Sequence, residues 1–283
     1  MSAFIRVLQP FWRNKLARVG LIVVLIMVAA AILAPVITPY SPNDTNFPAM
    51  LGPSWQHWLG TTQNGQDVYT QLVYGTRSSL EVGFVAGVLA TALALIIGLV
   101  AGYMPGVVDE VLSYLTNVFL VIPGLPLMII LAAYAPVKGN LLIIFVITVT
   151  GWAWGARVLR AQVTTLRARD YVAAARFAGD SMLRIVFREI MPNMISLVAA
   201  TFLGAAVSAI LAAAGLQFLG LGDPSINSWG TMLYWAQNSG ALLQGQWAWL
   251  FAPGFCIAAL GTALVLMNFA VDEMANPRLR KKG

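Results

Sequence analysis

Residues Val82–Val108 read VGFVAGVLATALALIIGLVAGYMPGVV, a run without one Asp, Glu, Lys or Arg. A helix that crosses a membrane needs about 20 mostly apolar residues, because its backbone polar groups must be satisfied internally once water is gone. Five more charge-free windows surround this one: Val19–Asn43, Val111–Val137, Gly139–Ala156, Ile190–Gly222 and Pro224–Val271. Together they predict six transmembrane helices, over roughly 19–38, 80–102, 112–134, 140–157, 194–217 and 248–270. The last window is too long for one span. Its first part carries Pro224, Asn227, Ser228, Asn238, Ser239, Gly240, Gln244 and Gln246, so residues 218–247 are expected to form an external loop. The first window follows Arg13, Lys15 and Arg18 as a signal peptide would, but it is longer than a usual signal core. It is expected to stay as the first helix, with Pro35 and Pro39 marking its exit. The expected organisation is a tail at 1–18, a first helix at 19–38, an external loop at 39–79, a five-helix core at 80–270 and a basic tail at 271–283.

Composition agrees with an all-α integral membrane chain. Of 283 residues 59% are hydrophobic and 10% charged, against about 25% charged in ordinary soluble domains. A soluble enzyme, a disordered tail and a nucleic-acid-binding module are excluded. The net charge of +6 is explained by position. With a cytoplasmic N-terminus, fifteen of the seventeen basic residues fall inside: Arg6, Arg13, Lys15 and Arg18 in the first tail, seven arginines between Arg157 and Arg188, and Arg278, Arg280, Lys281 and Lys282 in the last. Only Arg77 and Lys138 fall outside. This asymmetry is expected to set both termini on the cytoplasmic side of the membrane. The basic balance is then a topology signal; the charge speaks for membrane lipid as a partner and not for nucleic acid.

The spans also lack the groups that several chemistries need. Ion-coupled pumps usually carry ionisable residues within their helices. Here the nearest is Glu81, read as an interfacial carboxylate at the start of the second span. An ion-coupled secondary transporter stays as the alternative class, since backbone carbonyls alone can hold Na⁺. One histidine, His57, and one cysteine, Cys256, leave no metal cluster, no internal disulfide and no catalytic residues for an intramembrane protease. Cys256 sits in an apolar run and is expected to act as a small hydrophobe. No G-x-x-x-x-G-K-[ST] phosphate loop occurs, so no nucleotide cofactor is expected on this chain. Active transport would draw its energy through another subunit.

The cytoplasmic loop 157–193 has a helical pattern. Asp170 is a candidate N-cap, Ala173, Ala174 and Ala175 favour helix, and Gly179 is a candidate stop before Asp180. Tyr171 lies on this first segment. A second helical segment is expected over 181–191, with Pro192 breaking the chain before the fifth span. Spacing alone leaves two readings open, docking of a partner protein and contact with lipid. Within the spans, Asn117, Thr148, Thr150, Ser208 and Gln217 are candidates either to line a pore or to bond between helices. Phe119, Pro123 and Pro126 interrupt the third span. Trp55, Trp58, Trp229, Trp235, Trp247 and Trp249 fall in the external loops or at span ends, as an aromatic belt or a docking rim would.

At the cytoplasmic loop the sequence resembles the permease subunits of bacterial ABC importers. Their signature is Glu-Ala-Ala, three residues and Gly, with Leu-Pro further on; here it reads Ala173-Ala174-Ala175-x-x-x-Gly179 and Met191-Pro192. Leu59–Val68, Tyr74–Leu80, Phe218–Gly222, Ser228–Leu233 and Asn276–Arg280 are similar, in order, to signatures of the dipeptide, oligopeptide and nickel branch, and most closely to the second permease of its pair. Departures are Ala173 and Ala213 for family glutamates, and Thr62 and Gln66 for an external Asp and Arg. The resemblance implies the type-1 importer transmembrane fold and half of a pore for short peptides, with oligosaccharides or nickel as alternative cargo. It implies a second permease, two ATPases that bind ATP and Mg²⁺, and an extracytoplasmic solute-binding protein. It also implies that the helix at 170–178 seats in an ATPase groove.

Overall fold

The computed structural model describes residues 11–275. Most of the expected basic tails, with the Asn276–Arg280 signature, lies outside the described residues. Among those described, every regular element is helical, apart from one isolated bridge between Thr61 and Asp67. Four helices are long and apolar enough to cross a membrane, or six when each of two bent pairs counts as one span.

The first helix, α1 (Lys15–Ile37), starts at Asn14, whose carboxamide oxygen accepts from the N–H groups of Leu16 and Ala17 at 2.9 and 3.0 Å. Helix α2 (Val68–Tyr103) is 36 residues long, about 54 Å at 1.5 Å per residue, so it overshoots a bilayer core. It begins twelve residues before the expected second span. Asp67 caps it, accepting from the Thr70 N–H at 2.7 Å. Glu81 is therefore in the interior of a helix and not at its start, where sequence reading put it.

The third expected span is two helices, α3 (Val107–Val121) and α4 (Gly124–Tyr134), meeting at 87°. Pro123 offers no N–H and precedes the first residue of α4, so the turn forms there. The fourth is α5 (Asn140–Gly151) and α6 (Ala153–Arg167), bent by 43° at Trp152. Helix α6 takes in the first eleven residues of the expected loop. Then come α7 (Asp170–Phe177), α8 (Met182–Ile185), a π turn at Val186–Ile190, a 3-10 turn at Met191–Met194 and α9 (Ile195–Phe218). Pro192 does not break this stretch as expected. The π and 3-10 turns shift the hydrogen-bond register around the missing N–H, and the chain stays helical from Met182 to Phe218. The segment 218–247, expected as an external loop, contains α10 (Trp229–Asn238), and α11 (Trp247–Ala275) follows.

Small residues let the helices approach closely, as is usual in membranes, where packing replaces the hydrophobic drive. A Cβ on Gly98 would lie 2.9 Å from Cβ of Leu159, and one on Gly87 2.9 Å from Cα of Ala206. Helix α2 is thus pressed between α6 and α9. Helices α1 and α11 pack together, with Gly20 against the backbone of Ala263, and Asn14 donates to Glu273 at their common end. At the opposite end Gln246 donates to the carbonyl of Met50 at 2.6 Å and Asn227 to that of Gln71 at 2.9 Å. The molecule therefore has two ends. One holds residues 40–72 and 223–247; the other holds residue 14, the α2–α3 turn, α7 and residue 273.

Candidate functional site

Two features of this frame can serve transport: a short helix that protrudes at one end, and a half-open cavity in the side of the bundle. The short helix is α7. Its N-cap is Arg169, in extended conformation, and Asp170 is its first helical residue rather than its cap. A carboxylate in that first turn still favours the helix N-terminus. At the other end the Asp180 N–H bonds the Ala175 carbonyl at 3.1 Å and the Gly179 N–H bonds that of Arg176 at 3.0 Å. This pair is a Schellman stop, and Gly179 supplies its left-handed residue with φ +83°. Arg184 then pairs with Asp180 at 2.8 Å, and Ser181 accepts from the Arg184 N–H, which starts α8.

One face of α7 is anchored. Val172 is fully buried against a core that includes Leu166, Ile185, Val186 and Ile190, with Ala175 packed on it. Arg176 lies over the Tyr103 ring, 5.2 Å from its centre, and Arg167 donates to the Tyr103 carbonyl at 3.2 Å. The other face is open. Tyr171, Ala174, Phe177 and Ala178 are exposed, Phe177 at 93%, while Ala173 is half-buried. Pro192 is exposed beyond the π turn.

The cavity, of about 320 Å³, lies among α2, α4, α5, α6 and α9. Thr91, Met128, Ile147, Trp152, Trp154, Thr201 and Ser208 line it, and no charged side chain does. Thr91 and Thr201 turn their hydroxyls back to the carbonyls of Gly87 and Leu197, at 2.7 and 2.8 Å. The walls are thus largely apolar. Of the pore candidates named from sequence, only Ser208 reaches this cavity. Asn117 accepts from Arg157 at 2.6 Å, Gln217 is buried and accepts from the Ser228 hydroxyl at 2.8 Å, and Thr150 bonds the carbonyl of Val146. The Thr148 hydroxyl is buried with no hydrogen-bond partner.

At the opposite end a hollow of similar size is lined by Asn43, Asn64, Gln66, Gln71, Asn227 and Trp235, all uncharged. Beside it the Ser225 hydroxyl and N–H donate to Asp223 at 2.6 and 2.9 Å and hold that carboxyl below its usual range. His57 is buried there and bonded to Asp67 at 2.9 Å, which ties the segment before α2 to the cap of that helix. Trp229 and Trp249 are buried too, at 1% and 3% exposure, so neither is part of an aromatic belt. Trp55, Trp58, Trp235 and Trp247 are exposed.

Long apolar helices, a half-open uncharged cavity and a protruding short helix fit a membrane protein of transport. Comparison with known proteins names the class more closely. The model of the family described as "Binding-protein-dependent transport system inner membrane component" matches residues 94–281, and that of the "N-terminal TM domain of oligopeptide transport permease C" matches residues 2–53. The chain is 35% identical over 274 residues to the oligopeptide transport system permease protein OppC of Bacillus subtilis, covering 96% of this chain and 88% of the relative. It is 34% identical over 286 residues to the dipeptide transport system permease protein DppC of the same organism, covering 96% and 86%. The chain belongs to the family of binding-protein-dependent transport system inner membrane components. It is a multi-pass permease of the bacterial inner membrane and is not itself catalytic. Membership implies, in general, ATPase and binding-protein partners.

Proposed function

We propose that this chain forms half of the translocation pathway of an ATP-driven importer of short peptides. The peptide cargo rests on the names of the relatives, which are permeases of oligopeptide and dipeptide systems. In this reading six spans cross the membrane, with each bent pair counted as one, and both termini are cytoplasmic. The grouping of Asn14, Glu273 and the arginine-rich α6–α8 region at one end supports that orientation. A second permease completes the pore. Two ATPases, which carry ATP and Mg²⁺, bind below, and a solute-binding protein delivers cargo above.

The observation that carries the proposal is α7: a two-turn helix with one face locked into the bundle and the other bare, Phe177 outermost. A helix so mounted can be gripped by an ATPase and move its neighbours as a rigid body. Docking is favoured over lipid contact because Val172, Arg176 and Gly179 fix its geometry, which mere adsorption would not require. The test is uptake by proteoliposomes holding the assembled complex and its binding protein. Labelled tripeptide should accumulate only with ATP, and deletion of 171–179 should abolish accumulation at equal expression. Accumulation without nucleotide, or ATP-driven uptake of nickel or an oligosaccharide in place of peptide, would overturn the reading.

A further inference from the structure

Helix α3 is held to the bundle in an unusual way. Its one buried side chain is Thr116, whose hydroxyl bonds its own helix at Leu112. Val107, Val111, Tyr114 and Val121 are exposed at 74, 58, 72 and 82%. Beside the packing of Phe119 and Leu120 on the α6 core, three specific contacts tie α3 to α6 and its cap. Asp109 takes the Arg160 guanidinium with both oxygens, Oδ2 from Nη2 at 2.7 Å and Oδ1 from Nε. Ser113 donates to the same carboxylate at 3.0 Å. Two turns on, Asn117 accepts from Arg157, and then Phe119 packs on Trp152 with ring centres 5.2 Å apart. As α3 advances from 109 to 119, its partners retreat from 160 to 152, so the contacts form an antiparallel ladder.

Both ends of this ladder lead somewhere. Helix α6 is joined to α7 by Ala168 and Arg169 alone, and both share one packed core. Helix α3 turns through 87° into α4, whose Met128 lines the cavity opposite Trp152 and Thr201. A displacement of α7 thus reaches the cavity wall along α6 by packing and along α3–α4 by the ladder.

We infer that the Asp109–Arg160 pair is a transmission contact of transport: two positioning residues that make α3 and α4 follow α6 when the docking helix moves. A bidentate, partly buried pair suits this role, because it fixes orientation as well as distance and resists sliding. Apolar contact alone would let α3 lag behind α6.

The inference rests on the proposed ATP-driven import, and one measurement separates the two. In proteoliposomes holding the full complex, peptide uptake and ATP hydrolysis are measured together and expressed as ATP hydrolysed per peptide carried. Asp109→Asn and Arg160→Lys keep size and polarity, and the second keeps charge while losing the fork. Both should assemble, continue to hydrolyse ATP and raise that ratio roughly tenfold. The reciprocal exchange, Asp109→Arg with Arg160→Asp, should bring it back towards the unaltered value. A merely structural pair would lower uptake and hydrolysis in proportion and leave the ratio unchanged; that result, or an unchanged ratio with full activity, overturns the inference. Absence of ATP-dependent uptake in the unaltered complex overturns the proposed function instead.

Discussion

Gly102 has only a hydrogen where a methyl group would lie 2.6 Å from Cβ of Val163 and 2.8 Å from the carbonyl oxygen of Arg160. Neither neighbour is the free end of a flexible chain, so a larger residue must push α6 off α2. Gly102→Val should destabilise the folded protein by about 2–3 kcal/mol. Gly124 is the contrast. It has open space around its missing Cβ and an ordinary helical position, so Gly124→Ala should stay within about 1 kcal/mol of the parent and lean towards stabilisation. Unfolding of the purified protein in detergent micelles measures both. The same scale explains His57 and Asp67. Asp67 falls within the Leu59–Val68 signature, and with His57 it locks the preceding segment onto the first turn of α2; it also receives the Thr70 hydroxyl.

Among the elements, α7 has the clearest consequence. Its buried side is made of Val172 and Ala175, and its exposed side of Tyr171, Ala174, Phe177 and Ala178. A charge on the exposed side touches nothing within the chain. Phe177→Asp should therefore leave the stability of the isolated permease within about 0.5 kcal/mol, while sharply reducing the ATPase that co-purifies with it. Val172→Asp should instead lower the stability of the permease itself and lose the ATPase with it, since an unpaired carboxylate in that core unseats the helix. Equal ATPase recovery with Phe177→Asp would remove α7 from the docking surface. The family glutamate is Ala173 here, and that position is half-buried. The exposed surface of α7 thus combines Tyr171 and Phe177 with the charged Asp170 and Arg176.

At the scale of the whole molecule the two ends differ in character. One bears α7 and the arginines of α6 and α8; the other bears the amide-lined hollow and the tryptophans Trp55, Trp58 and Trp235. With one cysteine in the chain, sidedness is directly measurable. In a Cys256→Ala background, a cysteine placed at Phe177 should react with an impermeant thiol reagent only from the cytoplasmic side, and one at Asn238 only from the outside. Both residues are exposed, so access is decided by the membrane. Labelling of both from the same side would refute the six-span topology.

What could be read from the chain alone follows from local physics. Charge-free windows mark where backbone can leave water, and basic residues mark the side that stays behind, so class and expected orientation are written in one dimension. The stop at Gly179 was legible too, because only the residue types around it enter its geometry. Helix ends were not. The first twelve residues of α2 include Thr70, Gln71, Arg77 and Ser78, and hydropathy falls there although the helix goes on. Helix α10 hides in a polar segment; its capping box, Ser228 with Thr231, was a signal in reach, though with Thr where Glu is usual. The bends at Pro123 and Trp152, the cavity they enclose, and the Asp109–Arg160 pair across 51 positions depend on which helices become neighbours. Neighbourhood is settled by close packing at Gly87, Gly98 and Gly102 throughout the bundle, and packing is a property of pairs of surfaces that no single stretch of sequence contains.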